Sequence, residues 1–121
     1  VSFFSQGKYK EALMAYKKIA DDKYDREYSA KALYDMGRCL YMLAQYDATI
    51  RHFTQFVQSN PKSPDVVDSL FWRGQAYEKT GDVERAKGFY KKIMAMESDE
   101  DATVRLKAKK ALRLLEEAAR G

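Results

Sequence analysis

The chain has 121 residues, of which 45% are hydrophobic and 33% are charged, and this balance is that of a folded domain rather than of a disordered segment. Its net charge of +4 arises from 22 basic and 18 acidic side chains. The two signs are interspersed along the sequence, which favours a solvated surface of mixed charge over a nucleic-acid-binding surface. Cys39 is the single cysteine, so an intrachain disulfide framework is excluded, and no apolar run approaches the ~20 residues that a membrane-spanning helix needs.

Apolar residues recur at helical spacing along the chain, and small residues interrupt the pattern at Gly7, Ala44 and Gly81. The pattern predicts six helices, at residues 8–20, 28–45, 46–58, 65–80, 82–96 and 100–120. Asp47 and Asp82 are placed to cap or to charge the first turns of the third and fifth helices.

Residues of similar size recur 37 positions apart, which indicates a duplicated unit of two helices. Gly37 and Gly74 form one pair, and a glycine inside a helix costs ~1 kcal/mol relative to alanine. Two glycines at one register therefore predict the close approach of a partner helix. Two further series are Ala12, Thr49 and Ala86, expected to face the gap, and Tyr16, Phe53 and Tyr90, expected to fill the space one turn further on. The same step relates Ile19, Phe56 and Ile93; Phe3, Leu40, Tyr77 and Leu114; Leu33 and Leu70; and Tyr9 and Tyr46.

These residues resemble the tetratricopeptide repeat family over essentially the whole chain. The family pattern of small, aromatic and turn residues is matched by Gly37, Leu40 with Tyr41, Ala44, Tyr46, Thr49, Phe53 and Pro61, and in the next copy by Gly74, Tyr77, Gly81, Val83, Ala86 and Tyr90. Thr49 stands where alanine is usual, and we expect it to loosen the packing slightly or to bond back to its own helix. The resemblance implies an all-α fold, a right-handed solenoid of antiparallel helix pairs with a C-terminal capping helix.

The predicted organisation is a single domain over residues 1–121. It comprises a truncated first repeat at 1–22, a second repeat at 28–60, a third at 65–97 and a capping helix at 100–120. Because the chain begins at Val1, we expect it to be part of a longer protein. In the cap, Ala108, Ala111, Leu112 and Leu115 are expected to pack inward, and Lys109, Lys110, Arg113, Glu116, Glu117 and Arg120 to stay in water.

The long link at residues 58–65, with the segment at 68–74, is similar to bacterial cell-envelope members of the family. These include the periplasmic protein coupled to the Tol–Pal system and outer-membrane assembly lipoproteins. This narrower resemblance implies a soluble periplasmic or envelope-associated protein, and a cytoplasmic location is the alternative.

No constellation of catalytic residues stands out. His52 is the single histidine and is predicted to be a solvated helix residue, while Cys39 is predicted to be a buried structural thiol. The two cannot form a zinc site alone, and the acidic residues at 21, 22 and 25 lack the spacing of a calcium loop. We therefore predict a protein that is not an enzyme and that uses no metal or cofactor, with neither nucleic acid nor membrane insertion expected.

A partner-binding groove is predicted on the first helices of the repeats, because the residues one position past the core series should face the inner surface. The predicted groove consists of Tyr34, Asp35, Arg38, Tyr41 and Met42 from one helix, and of Phe71, Trp72, Gln75, Glu78 and Lys79 from the next, with Phe4 offered by the truncated copy. Tyrosine, tryptophan, methionine and arginine are enriched in protein interfaces. Tyr34, Arg38, Tyr41 and Trp72 are expected to be exposed, whereas Phe71 could equally pack against a neighbouring repeat.

The leading hypothesis is a binding module that holds an extended or helical segment of another protein. The alternative is a structural element of an envelope complex that stacks end to end or forms a homo-oligomer, for which Phe3 and Phe4 would supply a raw apolar face.

Overall fold

The computed structural model describes residues 2–22 and 25–121, and over these residues it is helical with no β-strand. The helices are α1 (Tyr9–Asp21), α2 (Arg26–Met42), α3 (Tyr46–Ser59), α4 (Val66–Lys79), α5 (Val83–Met94) and α6 (Ala102–Arg120), with a 3₁₀ turn at Asp99–Asp101 before α6. The all-α fold is thus confirmed. The chain divides into two compact units, Val1–Val66 and Val67–Gly121. The repeat boundaries given above remain a prediction.

The helix ends follow the local chemistry of the sequence. Asp25 caps the start of α2, where its carboxylate accepts hydrogen bonds from the backbone N–H groups of Glu27 and Tyr28 at 3.0 and 3.2 Å. This cap explains why α2 begins two residues before the predicted start. Asp82 caps α5 in the same way through the N–H of Arg85, as predicted.

The turns between paired helices depend on a left-handed residue. Gly7 has φ +77°, Gly81 has φ +87° and Ala44 has φ 61°. The left-handed conformation closes the end of the preceding helix, so that the N–H of Gln45 reaches the carbonyl of Leu40 at 2.9 Å. The small residue predicted at each helix break is therefore required by backbone geometry.

In the first unit α2 packs against both α1 and α3. The two helices α2 and α3 approach closely at Gly37, where a β-carbon would lie 2.3 Å from Cζ of Phe53. Thr49 is fully buried one turn before Phe53, and its hydroxyl donates to the carbonyl of Gln45 at 2.8 Å. The glycine predicted to permit a close approach thus contacts an aromatic ring, and the threonine bonds back to its own helix as expected.

The second unit repeats this contact and adds the cap. A β-carbon at Gly74 would lie 2.7 Å from Cε1 of Tyr90, a fully buried residue of α5. The α6 helix contributes to the same core with the apolar residues of one side. All four cap residues predicted to pack inward do so, two of them inside the core and two at its margin. The core consists of Leu70, Ala86, Tyr90, Ile93, Val104, Ala108 and Leu112, with Ala111 and Leu115 packed against it.

The opposite side of α6 is exposed, including every charged residue that was predicted to stay in water. Ser98 begins this segment by accepting the N–H of Glu100 at 3.3 Å.

Replacing Gly37 with alanine is expected to lower the free energy of unfolding by about 1–2 kcal/mol, because overpacking against Phe53 outweighs the gain in helix propensity. Gly88 is the matched control, since it is a helical glycine at which an added β-carbon would meet no atom within 4 Å. Its change to alanine should raise stability by ~0.5–1 kcal/mol. Urea denaturation followed by circular dichroism measures both. Equal effects at the two sites would contradict the ring–glycine contact.

Candidate functional site

The predicted groove residues of α2, here called the α2 face, are Tyr34, Asp35, Arg38, Tyr41 and Met42. The expectation that Tyr34 is exposed is wrong, because only 7% of this residue is accessible. Its ring lies 5.8 Å from the ring of Phe53 and 6.1 Å from that of Phe56, both on α3, and Lys31 Nζ lies 4.7 Å from its centroid. Tyr34 therefore contributes to the α2–α3 contact.

A fixed ion pair occupies the middle of the α2 face. The guanidinium of Arg38 donates to the buried carboxylate of Asp35 at 3.0 Å, and its Cζ lies 4.1 Å from the ring centroid of Phe4. Phe4 in turn meets the ring of Tyr9 edge to face at 5.2 Å. Arg38 is half-buried rather than exposed, and it is held from two sides.

The C-terminal end of the α2 face is more open. Tyr41 is half-buried and meets Tyr46 of α3 edge to face at 5.3 Å. Met42 is exposed. An aromatic ring and a flexible thioether beside a fixed guanidinium are the types of group that protein interfaces use.

The corresponding residues of α4, here called the α4 face, are Phe71, Trp72, Gln75, Glu78 and Lys79. Phe71 is half-buried and lies 5.8 Å from the ring of Tyr90, so it packs within its own unit. Trp72 is also half-buried, short of the exposure expected for it, and Lys79 is exposed.

The hydroxyl of Tyr90 organises the polar part of the α4 face. The Tyr90 ring crosses Gly74, and its hydroxyl then bonds to the carboxylate of Glu78. The same hydroxyl accepts from Nε2 of Gln75 at 2.7 Å, and Gln75 also lies 3.4 Å from Glu78. The 37-residue series predicts Tyr90 as a core residue, but it does not reveal that the hydroxyl positions two residues of the α4 face.

The two faces consequently differ in chemistry at equivalent positions. Phe53, which stands 37 residues before Tyr90, has no hydroxyl. Arg38 and Tyr41 stand at the positions of Gln75 and Glu78. The first unit therefore presents a cation beside an aromatic ring, and the second presents a carboxylate beside an amide.

His52 is not the solvated residue that was predicted. Its Nε2 lies 2.6 Å from the carbonyl oxygen of Leu33, so the ring nitrogen donates a hydrogen bond from α3 to α2. Its ring also meets that of Phe53 edge to face at 6.0 Å. His52 thus contributes to the packing of the helix pair.

The predicted burial of Cys39 is confirmed. Burial raises the pKa of its thiol from 9.0 to about 11, which disfavours the nucleophilic thiolate. Burial also raises the pKa of the nearby Tyr16, with the charge of Asp35 adding to the effect. Within residues 2–22 and 25–121 no three histidine, cysteine or acidic side chains cluster as metal ligands would, and no helix there is long and apolar enough to cross a membrane.

A cleft of about 540 Å³ lies in the first unit, at a place that the sequence pattern did not single out as a site. It is bounded by the start of α2 and by the link after α3, and Lys31 Nζ lies 3.5 Å from the carboxylate of Asp65 across these two segments. The link at residues 58–65 is thus folded against its own unit.

Replacing Tyr90 with phenylalanine is expected to lower the free energy of unfolding by about 1 kcal/mol, because Glu78 and Gln75 lose their hydroxyl partner. Tyr77 is the matched control: its ring stacks on Phe89 at 5.6 Å, and among the described residues its hydroxyl makes no hydrogen bond. Thermal unfolding of the two variants measures the difference. A Tyr77→Phe loss as large as the Tyr90→Phe loss would contradict the positioning role.

The Cys39 thiol is expected to react with iodoacetamide at pH 8 roughly a hundred times more slowly in the folded chain than in urea. The reason is that a thiol whose pKa is about 11 instead of 9.0 holds far less thiolate at that pH. Mass spectrometry of the alkylated chain over time gives both rates. Similar rates in the two states would show that the thiol is accessible and ionised.

Comparison with known proteins agrees with this architecture. The family model described as tetratricopeptide repeat matches residues 31–63 and 68–96, which together make up just over half of the chain. The first matched segment contains most of α2 and all of α3, and the second contains most of α4 and all of α5. These are the two helix pairs joined by the ring–glycine contacts. A comparison with curated proteins gives no match. The chain belongs to the tetratricopeptide repeat family.

Proposed function

We propose that this chain is a non-catalytic module that binds segments of a partner protein, and that the α2 face of the first unit and the α4 face of the second unit are each a binding surface. Tetratricopeptide repeats in general mediate protein–protein interaction, which supports the class of function. The specific support is that both faces hold polar side chains in fixed positions at half-buried sites. Such groups bind a partner with little further loss of side-chain entropy.

On the α2 face, Arg38 is the proposed orienting group. Asp35 and the ring of Phe4 fix its guanidinium, and the face remains partly open to solvent. A guanidinium held in this way suits a carboxylate or a backbone carbonyl of the partner. Tyr41 and Met42 lie one turn further along α2 and would supply apolar contact area.

On the α4 face, the Glu78 carboxylate is the proposed orienting group, because the Tyr90 hydroxyl and Gln75 hold it in place. It suits an N–H donor or a basic side chain of the partner. Trp72, three residues before Gln75, would supply the aromatic contact on this face. Tyr34 and Phe71 are left out as anchors, since their rings pack against α3 and α5 respectively.

The experiment is selection of binding peptides from a display library, followed by anisotropy measurements with the full chain. Tyr41→Ala and Met42→Ala are each expected to weaken peptides that bind the α2 face at least tenfold, about 1.4 kcal/mol, and Trp72→Ala to weaken those that bind the α4 face as much, with unchanged helical circular dichroism. Arg38→Ala should weaken most those peptides that carry an acidic residue or a free carboxyl end.

Met14 provides the matched control for Met42, because it is an exposed methionine on α1. Met14→Ala should leave the affinity of the selected peptides unchanged. Peptides whose affinity survives all the α2-face and α4-face changes would remove this assignment of the binding surface.

The finer placement in a bacterial cell-envelope assembly is part of the proposal and is supported by the resemblance of the link at residues 58–65 and of the segment at 68–74. The second candidate is a self-associating scaffold element, which the exposure of Phe3 favours. Light scattering over a dilution series discriminates the two. A dimer that persists on dilution and that masks Tyr41 or Trp72 would favour self-assembly over capture of a partner.

A further inference from the structure

One face of α6 is largely exposed, although its residues stand at the positions by which α4 contacts the following helix of its own repeat. The face consists of Lys107, Lys110, Ala111 and Leu114 and is called the α6 outer face. Leu114 is 57% exposed, the two lysines are exposed as well, and Ala111 is half-buried at the border with the core. The inward side of α6 is already used by the core of the second unit, which contains Val104, Ala108 and Leu112.

The same unit contains an example of what covers a face at this register. Residues 73, 74 and 77 of α4 stand 37 positions before residues 110, 111 and 114. On α4, Gly74 receives the ring of Tyr90 from α5. Tyr77 stacks on Phe89 at 5.6 Å, and the guanidinium of Arg73 lies 4.4 Å from the centroid of the same ring. A cation, a small residue and an apolar residue on one helix thus bind the apolar side of a second helix.

The α6 outer face repeats this combination. Lys110 stands at the position of Arg73, Ala111 at that of Gly74 and Leu114 at that of Tyr77. The correspondence favours a helix, rather than an extended peptide or a flat surface, as the structure that covers the face.

The charge of α6 indicates the character of that helix. Between residues 102 and 113 α6 carries Arg105, Lys107, Lys109, Lys110 and Arg113 and no acidic residue. Lys107 also replaces the leucine of the preceding repeats, Leu33 and Leu70. Glu116 and Glu117 follow Leu114, so the cationic part of the α6 outer face is the part around Lys107 and Lys110, on the N-terminal side of Leu114. That part is complementary to acidic side chains.

The size of Ala111 indicates which residue lies over it. At Gly74 a β-carbon would come within 2.7 Å of the Tyr90 ring, so an alanine at the equivalent position cannot accept an aromatic ring in that pose. An aliphatic side chain of leucine size is the complement that leaves room for the methyl group.

We propose that the α6 outer face is a second docking surface, distinct from the α2 and α4 faces, for an acidic amphipathic helix of a partner protein with a leucine-sized residue placed over Ala111. Its use does not depend on the binding proposed for the other two faces, so the two proposals fail separately.

The test uses a designed helix as its probe. A stapled, fluorescein-labelled peptide carries residues 82–96, which contain α5, with Tyr90→Leu and with Arg85, Lys87, Lys91 and Lys92 each changed to glutamate. Anisotropy with the full chain should show saturable binding that weakens as salt is added. Leu114→Glu is expected to weaken binding at least tenfold, and Lys110→Glu about fivefold or more.

Leu106 provides the matched control. It is 69% exposed and lies on α6 eight residues before Leu114, which places it about 80° away around the helix. Leu106→Glu makes the same change of charge and size, and it should alter affinity less than twofold. Both leucines are exposed, so neither variant should alter the circular dichroism spectrum. Equal losses in the two variants would overturn the proposal, because binding would then follow only the net charge of α6.

A second probe tests the contact with Ala111. This peptide retains tyrosine at position 90 and is otherwise identical, and the unaltered chain should bind it at least fivefold more weakly than the leucine peptide. Ala111→Gly should reverse that preference. An unchanged preference would mean that the probe does not lie over residue 111, and the proposed docking geometry would be wrong.

Two other occupants are separated by the same variants. Binding to phosphatidylglycerol vesicles that Leu114→Glu abolishes, without binding of the leucine peptide, would assign the face to a membrane surface. A dimer that dissociates on Leu114→Glu in sedimentation would assign it to a second copy of the chain. Either result overturns the helix proposal.

Discussion

The contact between a mid-helix glycine and the aromatic ring of the next helix is the constraint on which each unit depends. At Gly37 and Gly74 the ring occupies the space of a β-carbon, so no other residue permits the observed spacing. Each glycine costs ~1 kcal/mol of helix propensity, whereas full burial of an aromatic side chain contributes roughly 2–3 kcal/mol. The burial of the ring outweighs the lost helix propensity only when the ring lies against the glycine. The stability of the glycine-containing helix therefore depends on the helix that carries the ring.

The same contact positions polar groups on the α4 face but not on the α2 face. The Tyr90 ring crosses α4 at Gly74 and delivers a hydroxyl to Glu78 and Gln75. Phe53 makes the equivalent contact with Gly37 but has no hydroxyl. The guanidinium of Arg38 on the α2 face is instead held by Asp35 and by the ring of Phe4. The opposite charges of the two faces follow from their own residues, Arg38 on α2 and Glu78 on α4, and the Tyr90 hydroxyl adds a fixed position for the Glu78 carboxylate. A core side chain of the second unit thus also positions polar groups outside the core.

The sequence predicted the features that follow from spacing along one helix, and it failed where a neighbouring helix decides. The 37-residue series located the helices, the glycine contacts and the inward residues of the cap. Each of these features follows from side chains of similar size that recur at the same position of successive helices. Spacing along α2 could not reveal that the rings of Phe53 and Phe56 cover Tyr34, nor that His52 reaches the carbonyl of Leu33. Both outcomes depend on the position of α3 around α2. Sequence register fixes the direction of a side chain but not what lies opposite it.

The cap shows how far a repeat helix can change while it keeps its register. A large apolar residue gains nothing on the side of a helix that contacts only water. Lys107 agrees with such a side, because it replaces the leucines at the equivalent positions of the preceding repeats, Leu33 and Leu70. Leu114 is not typical of a side that contacts only water, since it keeps a large apolar residue at the position of Leu40 and Tyr77 and yet is exposed to solvent. Ala111 beside it keeps a small side chain at the register of the two glycines that receive a ring. The α6 outer face thus combines two exposed lysines with a leucine and an alanine at positions where α4 receives a helix, and this combination is the basis of the docking proposal.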